Sequence, residues 1–107
     1  MRTPSDSDIR VLRETILSKG VSKISLKRDS WCYNGYVEFK NQVFEILVGL
    51  GDNKYYYAKI CWKPSEYLNC DYILYNPYGH FVFSRDMREL AEKLLLKLER
   101  LAKTETR

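Results

Sequence analysis

At 107 residues the chain fits one domain with a single modest core, and 45 % apolar with 30 % charged residues is the composition of a folding chain, which excludes a disordered one. A net charge of +4 and a pI near 9.0 favour acidic partners such as nucleic acid. The longest apolar run, residues 43–50, is broken by Glu45 and Gly49 and is far short of a membrane span; no apolar secretion core opens the chain, so a cytoplasmic protein without membrane contact is expected.

Residues 1–6 read as a frayed end. Ser5 or Ser7 can cap a helix whose first turn carries Asp6 and Asp8. Ile9, Val11, Leu12 and Ile16 give it an apolar stripe and Gly20 stops it, so a helix is expected over residues 8–19. Ile24 and Leu26 alternate with Lys23, Ser25 and Lys27 in a first strand. Asn34-Gly35 is a strong hairpin signal, because both residues tolerate the positive φ of a type I′ turn. A turn there opposes Tyr33 to Tyr36, Cys32 to Val37 and Trp31 to Glu38. It sends Cys32, Val37 and Phe39 to one face and Trp31, Tyr33, Tyr36 and Glu38 to the other. Lys40-Asn41 is a second turn, after which Phe44, Ile46 and Val48 continue the Val37 face. Gly49, Gly51, Asp52 and Asn53 make a third turn region.

Residues 54–63 form the most distinctive stretch, with rings on both faces of one strand. Alternation puts Tyr56, Ala58, Ile60 and Trp62 toward a core, and Tyr55, Tyr57, Lys59, Cys61 and Lys63 on the other side. A loop over residues 64–69 leads to short strands at 71–75 and 80–83, joined by the turn Asn76-Pro77-Tyr78-Gly79. Ser84 then caps a helix with Asp86 in its first turn. Met87, Leu90, Ala91, Leu94, Leu95, Leu98, Leu101 and Ala102 form its apolar stripe, Leu96 falls off that stripe, and residues 104–107 fray. The expected architecture is α+β, a single domain over 1–107: an antiparallel five- or six-stranded meander with an N-terminal and a C-terminal helix. The leucine stripe packs on the sheet or pairs with a copy in a homodimer.

Cys32, Cys61 and Cys70 are an odd set without a close pair, and with His80 as the only histidine they lack structural-zinc spacing; buried thiols are expected, with a Cys32–Cys61 bridge as the alternative. No phosphate-cradling glycine motif or calcium loop is present, so no cofactor and no metal are expected.

Exposed rings on a sheet stack unpaired bases, and neighbouring ammonium groups hold phosphates. Trp31, Tyr33, Tyr36, Tyr55 and Tyr57, with Lys23, Lys27, Lys59 and Lys63, are therefore the candidate residues of a surface for nucleic acid, single strands above all. The run Phe81-Val82-Phe83-Ser84-Arg85-Asp86 entering an amphipathic helix, with the Val37-Glu38-Phe39-Lys40 turn region, resembles the small coactivator-type single-stranded-DNA-binding fold over about half the chain. The N-terminal helix and further strands fall outside that pattern. Two other classes leave similar marks. A protein-interaction module, such as a small viral or mobile-element adaptor or inhibitor meeting an acidic protein surface, would expose the same Tyr and Trp residues. Asp29 followed by Glu38-Phe39-Lys40, after a helix bearing Glu14, resembles the metal-dependent nuclease superfamily, which implies magnesium-holding carboxylates and a charge-stabilising lysine.

Overall fold

The computed structural model describes residues 3–62 and 69–105. Helix α1 (Asp6–Leu17) starts two residues before the expected position, because Ser5 and Asp8 close a reciprocal capping box: Ser5 Oγ accepts from the Asp8 amide at 3.1 Å, and the Asp8 carboxylate accepts from the Ser5 amide at 3.2 Å. Five strands follow in meander order, β1 (Lys23–Asp29), β2 (Cys32–Phe39), β3 (Gln42–Leu50), β4 (Tyr56–Cys61) and β5 (His80–Ser84), each antiparallel to the next. A short helix, α2 (Cys70–Tyr75), interrupts the meander before β5, and α3 (Met87–Glu105) closes the chain. This is the expected α+β meander with a helix at each end.

The main core lies between α1, α3 and one sheet face. Ile9, Leu12 and Ile16 of α1 and Leu90, Leu94 and Leu98 of α3 pack on Val37, Phe44, Ile46, Val48, Ala58 and Ile60. Tyr56 and Trp62 border this core, so the expected inward face of the tyrosine-rich strand is inward.

Asn34-Gly35 is not a turn. β2 runs straight through it, with Gly35 opposite Leu26 on one side and Ile46 on the other. The chain reverses instead at Ser30-Trp31 and at Lys40-Asn41, where Lys40 (φ 51°) and Asn41 (φ 63°) supply the two left-handed residues of a type I′ hairpin. Gly35 serves close approach: a Cβ there would stand 1.7 Å from the Ser25 carbonyl oxygen of β1. With the turn gone, Tyr33 joins Val37 and Phe39 on the helix-covered face, and Cys32, expected beside Val37, lies instead on the opposite face with Tyr36 and Glu38.

The expected strand over 71–75 is α2. The Asn69 side chain accepts from the Tyr72 amide at 3.0 Å, and Cys70, Ile73 and Leu74, spaced i, i+3, i+4, turn to the sheet. They meet Cys32, Leu47, Tyr57 and Cys61 in a second, smaller core on the face away from α1 and α3. There Cys32 and Cys70 form a disulfide across 38 residues; neither three thiols nor a Cys32–Cys61 bridge is present, and Cys61 is a buried free thiol. Lys63 and the expected loop at 64–68 lie outside the described residues.

Candidate nucleic-acid interface

The structure disperses the candidate residues. Lys23, Lys27 and Tyr36 are exposed on the face away from α1 and α3, and Lys23 and Tyr36 line a hollow of about 410 Å³ with Ser25, Glu38 and Val43. Trp31 sits in the β1–β2 turn, half-buried against the small core. Tyr33 is buried in the main core and donates its hydroxyl to Asp6 of α1, a bond that, with burial, raises its pKa. Tyr57 is on the expected face but buried, its ring lying over Gly49, where a Cβ would come within 2.4 Å. Lys59 is 3 % exposed; it donates to the carbonyl oxygens of Leu74, at 2.8 Å, and Asn76 at the end of α2. For Tyr33, Tyr57 and Lys59 alternation alone does not decide exposure: α1 with α3 covers the first, and α2 covers the other two.

Solvent-facing rings are concentrated elsewhere, from α2 to β5: Tyr72, Tyr75, Tyr78, Phe81 and Phe83. Phe81 (40 % exposed) and Phe83 (52 %) stand two residues apart on β5, their rings near-parallel at 16° with centroids 5.9 Å apart. Val82 between them turns into the main core, which forces both phenyl groups outward. Tyr57 supports Phe83 from below at 6.5 Å, and the Lys59 ammonium lies 5.4 Å from the Phe81 centroid. Because that ammonium also holds Leu74 and Asn76, the end of α2 that carries Tyr75 is brought beside Phe81.

Cations line the same edge. Lys93, Lys97 and Arg100 recur at i, i+4 and i+7 on α3 and, with Leu96, border a groove of about 350 Å³ along Phe81, Val82 and Phe83. Lys93 donates to the Phe83 carbonyl at 2.8 Å and pairs with Glu89 at 3.5 Å. On the other side of Phe83 a second hollow, about 320 Å³, holds Tyr55 and Arg85, whose guanidinium stacks 4.8 Å from the Tyr55 centroid. Four cations thus face two carboxylates, Asp86 and Glu89. Asp86 accepts from the Glu89 amide at 3.0 Å and so caps α3 in place of the expected Ser84, whose hydroxyl accepts from the Asp86 amide at 3.0 Å and donates to Glu89 at 2.7 Å. The Ser84 hydrogen bond and then Lys93 hold the Glu89 carboxyl below its ordinary pKa. Partial burial and Lys97 lower that of His80, which stacks on Trp62 at 5.3 Å.

Of the eight candidates among the described residues, Tyr55 alone lines these two hollows, while Tyr57 and Lys59 touch the phenyl pair from the buried side. Phe81 and Phe83 were readable as a ring pair from the Phe-Val-Phe alternation, and the cations from their helical spacing.

The nuclease set does not assemble. Asp29 opposes Cys32 and Glu38 lies six residues farther along β2, a separation of roughly 20 Å at strand rise, and Lys40 is in the following turn. Among the described residues no three His, Cys, Asp or Glu side chains gather as metal ligands, and no helix is long and apolar enough to cross a membrane. Comparison with protein-family models, with curated proteins and with solved structures found no match.

Proposed function

We propose that this protein binds single-stranded nucleic acid along the β5–α3 edge, with unpaired bases on Phe81 and Phe83 and phosphates at Lys93, Lys97, Arg100 and Arg85. The supporting observation is the exposed, near-parallel phenyl pair beside a row of helix cations. A single strand suits it because a duplex keeps its base faces stacked away from protein rings. Fluorescence anisotropy with labelled oligo(dT) and oligo(U) at several salt concentrations tests it. Phe83→Ala is expected to weaken binding by roughly 1–3 kcal/mol, about 5- to 150-fold, and Lys97→Ala to lower the salt slope by about 0.7. Both side chains lie at the surface, so the fold is retained. No binding at micromolar protein in low salt, or binding indifferent to salt, refutes the proposal.

One observation favours a protein partner as second reading. β5 is an edge strand of the sheet and, unlike β1, carries no lysine of its own, although Lys93 of α3 engages its Phe83 carbonyl. An acidic partner strand added to β5 would bind without regard to oligonucleotides.

A further inference from the structure

The centre of the sheet face beneath α2 is unusually polar for a buried surface. Three of the four buried polar or charged side chains among the described residues, Asn34, Glu45 and Lys59, stand on this face. The Asn34 Oδ1 atom has no hydrogen-bond partner. The Lys59 ammonium reaches two carbonyls that belong to α2 and the residue after it, so its solvation moves with that helix. Six residues are too few for a helix to persist without tertiary support, and α2 buries only Cys70 and Ile73. The Cys32–Cys70 disulfide fastens it to β2.

On either side the same face is open. Pairing places Lys27, Asn34, Leu47, Lys59 and Phe81 in one row across all five strands, about 19 Å from end to end at the usual strand spacing. Lys27 at one end and Phe81 at the other are exposed; α2 lies over the middle.

We infer that α2 is a disulfide-fastened cover, and that reduction of Cys32–Cys70 uncovers a second surface for single strands, one that stacks and hydrogen-bonds their bases and joins Lys27 and Tyr36 to Phe81 and Phe83 through Tyr57 and Lys59. The ligand rests on the reading of the β5–α3 edge as a single-strand site; the cover does not. The reductant is a dithiol. Its two thiols give up two electrons and two protons and close to a disulfide, and Cys32 and Cys70 take them up as two thiols. A hollow of about 240 Å³ between Trp31, Asn69 and Tyr72 leads to Cys70. Reduction leaves the main core untouched, because neither cysteine belongs to it. Opening exposes the Glu45 carboxylate together with the Lys59 ammonium, so the gain is in stacking and hydrogen bonding and not in net charge.

Cys61 reports on the cover, being buried beneath it with a thiol that burial pushes up to about 11. Oxidised protein, dithiothreitol-reduced protein and the Cys32→Ser/Cys70→Ser variant are compared for alkylation of Cys61 by N-ethylmaleimide, read by peptide mass spectrometry, and for oligo(dT) affinity. Cys61 is expected to react at least tenfold faster in the reduced and variant forms while cooperative melting persists. Affinity is expected to rise about tenfold with an unchanged salt slope. Equal protection of Cys61 in all forms overturns the cover. Faster alkylation with unchanged affinity, or a steeper salt slope, overturns the second surface. Absence of oligonucleotide binding in every form refutes the β5–α3 reading and the ligand assigned here, while alkylation still decides whether α2 opens. Should the variant fail to fold, the reduced wild-type chain decides between these results.

Discussion

Replacing Gly35 by alanine separates two explanations of the same dipeptide. In a type I′ turn the glycine would be there for its positive φ, and alanine would cost roughly 1–2 kcal/mol. In the structure Gly35 is mid-strand, and the added methyl would meet Ser25 O at 1.7 Å and Ser25 C at 2.8 Å. An ordinary C···O approach is about 3.3–3.6 Å, so β1 must retreat by roughly 1.6 Å. A ladder hydrogen bond near 2.9 Å does not survive that displacement. Losing two of them costs about 1–3 kcal/mol, more where a buried group is left unpaired. Retreat of β1 also loosens Ile24 and Leu26, which pack against the main core, so a total near 3–5 kcal/mol is expected, within the range for large core defects. Gly20→Ala is the control. Its φ of +104° makes alanine strained, but nothing lies within 4 Å of the Cβ position, so about 1–2 kcal/mol is expected from conformation alone. Urea unfolding followed by far-ultraviolet circular dichroism gives both values. A Gly35→Ala loss below about 2 kcal/mol, or no larger than that of Gly20→Ala, would refute the close-approach argument.

The Lys40-Asn41 turn predicts the opposite sign: Lys40→Asn with Asn41→Gly removes strain at φ 51° and 63° and should stabilise by about 0.5–1 kcal/mol, read as a higher urea midpoint. Reducing Cys32–Cys70 releases a 38-residue separation, worth about 4 kcal/mol of unfolded-state entropy by loop closure; paired urea melts with and without reductant measure it, and a change under about 1 kcal/mol would contradict the estimate. Stability should fall as pH rises from about 9 to about 12. Burial raises Cys61 from 9.0 to about 11, while burial and the Asp8 hydrogen bond raise Tyr56 from 10.0 to about 12, and Tyr33 and Tyr57 are raised as well. The folded state therefore binds more protons than the unfolded one across that window, and its advantage is lost as those groups ionise. Denaturation midpoints measured through the window should decline, and less steeply for Tyr56→Phe; a flat profile to pH 12 contradicts the assignment.

Both terminal helices and four of the five strands were legible because each carries its own period. Leu90, Leu94 and Leu98 repeat helically, and Ile24 with Leu26 alternates. Lys40-Asn41 was legible as a turn because neither residue has a better place in a strand. Asn34-Gly35 misled because two physical needs select glycine, a positive φ and a missing Cβ, and only the distance to Ser25 of a neighbouring strand tells them apart. The segment 70–75 misled for a related reason. Tyr72, Ile73 and Tyr75 favour strands as residues, but the Asn69 cap and the disulfide at Cys70 favour one turn of helix, and the bond depends on Cys32, 38 residues away.

The candidate site was legible in parity and illegible in cover. Alternation correctly sets Tyr57, Lys59 and Cys61 on the face of Lys23 and Lys27, and the β1–β4 pairings keep them there. An error at one turn reverses that parity for the strand segment just before it, so Tyr33 and Cys32 lie on the faces opposite to those alternation gives them, while Tyr36 does not. Exposure is a separate question, decided by where the helices lie. α1 and α3 take the first face, as their long stripes require. The second face is left to a six-residue helix that reaches only its middle, so rings and ammonium groups of similar sequence context end buried at Tyr57 and Lys59 and exposed at Tyr36, Phe81 and Lys27. A polar strand face beneath so small a cover is physically consistent only if the buried groups find partners on the cover itself, as Lys59 does at Leu74 and Asn76. The same dependence makes the cover's removal tolerable, since water replaces those carbonyls when α2 leaves.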